Sequence, residues 1–167
     1  MNMVFETERL YCRNLTSADA QAFFDLNEDP EVLKYTGDTP FSQVTDAKDF
    51  LNNYTEYQKQ GYGRWAVIRK SDGVFLGWCG LKYHSDMDQV DLGFRFFRKY
   101  WKRGYASESA QGAITYAFSD LELDRLIGRV QEGNEASVHV LKKLGFQLER
   151  KFDFEGKPGL LFGLDKS

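Results

Sequence analysis

The chain has 167 residues, 42% hydrophobic and 28% charged, with a net charge of −3 and a pI near 5.5. That is enough for one domain, residues 1–167, with a proper core; the 16% aromatic content excludes disorder, and the charge gives no footprint for nucleic acid or an anionic membrane. No apolar run reaches the roughly 18 residues of a membrane span, and the N-terminus has no apolar signal segment, so a cytoplasmic location with no membrane partner is expected.

Glu8 to Leu15 alternates Leu10, Cys12 and Leu15 against Arg9, Arg13 and Asn14, as a first strand does. Thr16 is a natural N-cap, with Asp19 in the first turn, for a helix carrying Ala18, Ala22, Phe23 and Leu26. Asp29-Pro30 starts a short helical turn through Val32 and Leu33, and Gly37 to Phe41 is a loop. Thr45 reads as the cap of a second helix, with Ala47, Phe50, Leu51 and Tyr54 at helical spacing, ending by Gly61. Arg64 to Arg69 and Val74 to Tyr83 are strands joined by a hairpin turn at Ser71-Asp72-Gly73. Gly77 and Gly80 inside the second mark a bulge or a closely packed neighbour. Cys12 and Cys79, the two cysteines, fall in these apolar strands and read as buried free thiols; with His84 and His139 they show no metal-ligand spacing.

Ser85 to Asp88 turns the chain into a further strand from Val90, which completes an antiparallel meander. After Phe97, four of the six residues from Arg98 to Arg103 are cationic, and Gly104 follows. A helix then places Ala106, Ala110, Ala113, Ile114, Ala117 and Phe118 on one face, small enough to lie close against a sheet. A strand feeding a basic, Gly-containing turn that opens into a helix is a recipe for holding phosphate. The first helical amides have no intrahelical partner, and the macrodipole adds positive potential there. The plainer alternative is a solvated basic loop. Arg125 to Val130 is the next strand, so strand, helix, strand form a crossover that makes two strands parallel. Asn134 begins a helix through Val138, Leu141 and Leu144 that stops at Gly145. Phe146 to Phe154 and Leu160 to Leu164 are the last strands, joined by a turn from Glu155 to Gly159.

Three motifs in this order, Trp101-Lys102-Arg103-Gly104-Tyr105-Ala106, Asn134-Glu135-Ala136-Ser137 and Leu144-Gly145-Phe146, resemble the GNAT N-acetyltransferase superfamily. The opening Glu6-Thr7-Glu8-Arg9-Leu10, with Asp19-Ala20, is similar to the branch containing the ribosomal-protein N-terminal acetyltransferases. The resemblance implies an α/β (α+β) fold: a mixed central sheet of about seven strands flanked by helices, with the fourth and fifth strands splayed apart around acetyl-CoA. It assigns the CoA pyrophosphate to Lys102, Arg103, Gly104, Tyr105, Ala106 and the amide of Ser107. Phe96 and Arg98 would pair through backbone groups with the pantetheine, as an added strand would, and Asn134 would contact the cofactor. Asn134 also suits an ordinary N-cap.

The implied reaction is acetyl transfer to a primary amine, a protein N-terminus or a small molecule, by direct attack in a ternary complex. A lysine amine has a reference pKa of about 10.4 and an α-amine about 8, so each needs a base at neutral pH. Asp91, where the family often has a glutamate, is the candidate, acting directly or through water. Glu108, in the first helical turn, suits capping, and His84 suits a structural role. The oxyanion is expected to meet a backbone N–H near Phe96. The family's usual acidic tyrosine is Leu141 here, a departure that leaves Ser137, a tyrosine such as Tyr105, or solvent to protonate the leaving thiolate. Tyr35 to Phe41, Trp65, Trp78 and the final hairpin are expected to line the acceptor pocket. The competing reading is a non-catalytic protein of the same fold that binds CoA; a monomer or homodimer fits either.

Overall fold

The computed structural model describes residues 3–167. Its strands are β1 (Met3–Glu6), β2 (Leu10–Asn14), β3 (Arg64–Arg69), β4 (Phe75–His84), β5 (Gln89–Phe96), β6 (Arg125–Gln131), β7 (Gln147–Phe154) and β8 (Lys157–Asp165). They form one sheet in the order β1-β2-β3-β4-β5-β6-β8-β7. From β1 to β5 every pairing is antiparallel, which confirms the meander. The crossover from β5 to β6 makes that pair parallel, with a single register pair, Asp91 opposite Ile127. These are the fourth and fifth strands of the sequence reading, and they are splayed.

Among the described residues, six α-helices cover the two faces. On one lie α1 (Ala20–Leu26), α2 (Pro30–Leu33) and α3 (Val44–Asn52), with α4 (Glu56–Gln60) following; on the other lie α5 (Tyr105–Ser119) and α6 (Glu135–Lys143). Strand alternation divides the core accordingly. Trp65, Val67, Cys79 and Leu81 pack with Ala110, Ala113, Ala117 and Leu141, whereas Ala66, Ile68 and Trp78 pack with Phe23, Leu26 and Leu51. Ala110, Ala113 and Ala117 have no exposed surface, as the small-residue face of this helix predicts. No helix is long and apolar enough to cross a membrane among the described residues.

The structure departs from the sequence reading in three places. An edge strand, β1, precedes the expected first one, so the sheet has eight strands instead of about seven. The helix expected from Thr45 to Gly61 is capped by Gln43 and broken between Asn52 and Glu56. The break serves the ends of neighbouring strands: Tyr54 Oη accepts from the Arg64 amide at 2.8 Å, while Tyr57 Oη accepts from the Leu15 amide at 2.9 Å and donates to the Arg64 carbonyl. The final turn is also tighter than expected. Glu155 and Gly156 both have positive φ (51° and 86°), a two-residue hairpin geometry that lets β8 begin at Lys157 and run through Pro158.

Elsewhere the expectations hold. Thr16 caps through a capping box with Asp19, although it opens a 3-10 turn that leads into α1. The β3–β4 bulge sits at Gly77. Gly80 is the close approach: a Cβ there would run into the backbone of Gly63 and Arg64.

Candidate active site

The turn between β5 and α5 is built to leave amides free. A 3-10 turn, Arg98–Tyr100, follows β5, and the Trp101 indole N–H folds back to donate to the Phe96 carbonyl at 2.9 Å. Lys102 and Gly104 are both left-handed (φ 62° and 81°), a conformation natural to glycine and strained for lysine. Gly104 is the N-cap of α5 and has no side chain to cap with. The first helical bond is from the Glu108 amide to the Gly104 carbonyl, 3.0 Å, so the amides of Tyr105, Ala106 and Ser107 have no backbone or side-chain partner among the described residues. Lys102, Arg103 and Gly104 are exposed.

Neighbouring side chains pin this helix start. Thr7 Oγ1 donates to Glu108 Oε2 (2.6 Å), as does the Arg9 amide (2.9 Å), and Arg9 Nε donates to Oε1 (2.6 Å). Partial burial alone would push the Glu108 carboxyl up, but these donors hold it below its ordinary range. Glu108 therefore ties the β1–β2 turn to α5. Arg98 reaches across to Asp29, 3.0 Å away, at the start of α2.

Beyond the single pairing of Asp91 with Ile127, β5 and β6 diverge. The Phe97 amide donates to the Leu76 carbonyl at 3.1 Å, toward β4. Antiparallel alternation then turns the peptide groups of Phe94 and Phe96 to the opposite side, facing the gap. The Phe96 carbonyl is already taken by Trp101.

A cavity of ≈ 240 Å³ fills the splay. Asp91 to Arg95 of β5, Arg129 and Val130 of β6, and Asn134, Ser137 and Leu141 of α6 all line it. Asp91 and Ser137, far apart in the chain, thus share one cavity. Asn134 caps α6, its Oδ1 accepting from the Ser137 amide at 3.4 Å. A larger hollow of ≈ 480 Å³ between β1 and α5 has no comparable chemistry, since its Glu108 carboxylate is engaged by Thr7 and Arg9.

Asp91 is not alone at the vertex. Its Oδ2 lies 3.2 Å from His84 Nε2, and its side chain is 18% exposed. Burial pushes its carboxyl above the ordinary range, against the pull of His84 and Arg129. Arg129 Nη1 lies 3.3 and 3.4 Å from the two His84 ring nitrogens, and its guanidinium stacks over Phe152 and Phe154 at 5.0 and 5.6 Å. An Nε2–H tautomer of His84 donates to Asp91. Among the described residues, the buried side-chain polar atoms without a partner are Trp78 Nε1, Asp91 Oδ1 and Arg129 Nε. All three residues line this cavity. Orphaned buried groups are uncommon in folded proteins, and their concentration here marks a place for a ligand.

Sequence reasoning missed the partnership of His84 and Arg129 with Asp91. The signal was present: a turn at Ser85 to Asp88 implies a hairpin, which puts His84 and Asp91 on one face. Two other expectations change. Trp65 is a core residue, 1% exposed, edge-on to Phe5 and Tyr116, and does not line the cavity. The Tyr105 hydroxyl accepts from Arg69 at 3.2 Å, with Arg9 stacked 4.5 Å over its ring, so it lies away from the cavity and is no general acid. Tyr35, Thr36 and Asp38 of the loop, Trp78, and Phe154 and Glu155 of the hairpin do line it.

The family model described as acetyltransferase (GNAT) domain matches residues 9–147, and the chain belongs to that family. It is 33% identical over 158 residues to an uncharacterized N-acetyltransferase, p20, of Bacillus licheniformis, covering 93% of this chain and 89% of that one. A GNAT-family acetyltransferase from Bacillus anthracis superposes with a TM-score of 0.83 at 25% identity, covering 96% of each chain. The ribosomal-protein acetyltransferase RimL, solved with coenzyme A, superposes with a TM-score of 0.84 at 14% identity, covering 98% of each chain, and so shares the fold. The chain is an acetyl-CoA-dependent N-acetyltransferase, as the family and its named relatives show. The free amides of the turn, its exposed cations and the unpaired edge of β5 suit a ligand with a diphosphate at one end and an extended amide-bearing arm.

Proposed function

We propose that this chain acetylates a primary amine by direct attack within a ternary complex, with Asp91 as general base. The carrying observation is the Asp91 carboxyl: buried at the vertex of the splay, held by His84 through one oxygen and free at the other, in the cavity that Ser137 and Asn134 also line. Burial raises its proton affinity, which brings a carboxylate closer to the task of deprotonating an ammonium group. Oδ1 accepts the amine proton, directly or through one water, while His84 orients the carboxylate through Oδ2. The nitrogen–acyl bond forms as the carbon–sulfur bond breaks. N–H groups on the free edge of β5 receive the carbonyl oxygen; Ser137 hands its hydroxyl proton to the departing sulfur and is reprotonated from solvent, to which Asp91 returns the amine proton. Lys102, Arg103 and the amides from Gly104 to Ser107 hold the diphosphate, with Phe96 and Arg98 along the arm and Asn134 at the α6 cap.

Asp91→Asn tests this. The expected loss in kcat is about 10²- to 10⁴-fold, the range for removing a general base. Affinity for acetyl-CoA, measured by calorimetry, should stay within about twofold. Activity requires the ionised form, so the wild-type rate should rise with pH through a limb above the ordinary carboxylate range, and the variant should lack that limb. Full turnover in the variant would exclude Asp91 as base.

A further inference from the structure

We infer that the acceptor is a small amino carboxylate: a molecule that presents its amine to Asp91 and a carboxylate to Arg64 and Arg129. This deepens the reading above and rests on the cavity being the acetyl-acceptor site.

The register places the groups. Arg64 of β3 pairs with Gly80 of β4, and Gly80 pairs with Gly93 of β5. Residues opposite one another share a face, and Arg129 lies two positions beyond Ile127, the partner of Asp91. Arg64, Trp78, Asp91 and Arg129 therefore stand on one face around a trough floored by two glycines. Trp78 leans along it, its ring edge 3.4 Å from where a Cβ on Gly93 would sit. The Arg64 guanidinium stacks 4.5 Å from the centre of the Trp78 ring.

The charges are unevenly satisfied. Four half-buried arginines, Arg13, Arg69, Arg95 and Arg125, each pair with a carboxylate. Arg64 and Arg129 are half-buried too, have no ion pair among the described residues, and both line the cavity. Arg129 Nε is buried without any partner. A partly desolvated guanidinium is stabilised by an anion, and its planar fork fits a carboxylate with two parallel bonds.

Of the cavity's acids, Glu155 is exposed at the hairpin tip and pairs with neither arginine, and the other two are engaged elsewhere. Asp38 is held by Arg95 at 2.9 Å, and Asp91 Oδ2 by His84. The loop and the hairpin tip also meet over the cavity, where Gly37 abuts Glu155. That closure disfavours a folded protein's N-terminus.

The test is thiol release from acetyl-CoA with the standard amino acids, each beside its decarboxylated amine, with spermidine and with tetrapeptides bearing free N-termini. At least one amino acid should exceed its decarboxylated amine, spermidine and the matching peptide by tenfold or more in kcat/KM. For that amino acid, Arg64→Gln and Arg129→Gln should each raise KM by about tenfold or more, as expected when a charged hydrogen-bond partner is lost, with acetyl-CoA affinity retained. Arg64→Lys keeps the charge and the stacking stem but loses the fork, and should fall between wild type and Arg64→Gln. The same panel is titrated by calorimetry against the unmodified chain with CoA bound, which carries no acetyl group and so reads acceptor binding without turnover. Binding of an amino acid there would support the inference even if Asp91 proved not to be the base. Preference for spermidine, peptides or plain amines in either assay, or binding of no amino acid at all, would overturn it.

Discussion

Two carboxylates show how environment sets the role of a residue. Glu108 accepts three donors, and its folded-state proton affinity is depressed; Asp91 has one partner and a free buried oxygen, and its proton affinity is raised. For Glu108 the sign is clear. A depressed folded pKa contributes stability that is present above the unfolded carboxylate value and is lost as pH falls through the folded value. Glu108→Gln should therefore cost about 1.5–3 kcal/mol at pH 7, the range for hydrogen bonds to a charged group. Urea denaturation should show that difference shrinking at pH 3 or below. A constant difference across pH would mean the lost contact is steric. Cys12 and Cys79 illustrate burial as the dominant influence: neither has exposed surface, and burial pushes the Cys79 thiol up to about 12 against the pull of Ser109, so both are packing residues.

Among elements, the junction of β6 and α6 decides where Asn134 and Ser137 stand. Gly128 of β6 lets the helix settle onto the strand: a Cβ there would lie 2.8 and 2.9 Å from the two methyls of Leu141, which is 1% exposed. Leu141 thus packs against β6, and α6 carries no tyrosine to bring a phenol to the site. Gly128→Ala should push α6 outward and destabilise by about 1–3 kcal/mol, the usual cost of overpacking. For a chain of this size that is a fall in Tm of about 2–12 °C. Calorimetry gives the shift, and turnover should fall with it because Ser137 moves; an unchanged Tm would show that the helix has slack. Sequence pattern located both elements, yet nothing in either segment alone signals their mutual distance.

Across the whole molecule, a net charge of −3 coexists with a cationic turn. Arg98 is paired with Asp29, so Lys99, Lys102 and Arg103 supply the field at the mouth of the α5 helix. The double variant Lys102→Glu, Arg103→Glu should weaken acetyl-CoA binding by about tenfold or more at 50 mM salt, and the deficit should narrow at 500 mM as screening removes the attraction. Equal affinities in calorimetry would place the diphosphate elsewhere.

Local signals in the chain settled much of this architecture. Hydrophobic alternation fixed the meander, the alanine stripe fixed α5, and Gly104 after a basic run marked the free helix terminus, because each depends on neighbours a few residues apart. The motifs from Trp101 to Ala106 and from Asn134 to Ser137 were enough to indicate the family. Tertiary structure alone decided what depends on distance across the sheet. The edge strand β1 is held by pairing with β2; the break after α3 follows from tyrosines reaching strand ends; β8 enters between β6 and β7. The union of His84, Asp91 and Arg129 came the same way. The family resemblance singles out Asp91, but His84 and Arg129 read as unremarkable in their own segments, and only the register of three strands makes the three one site.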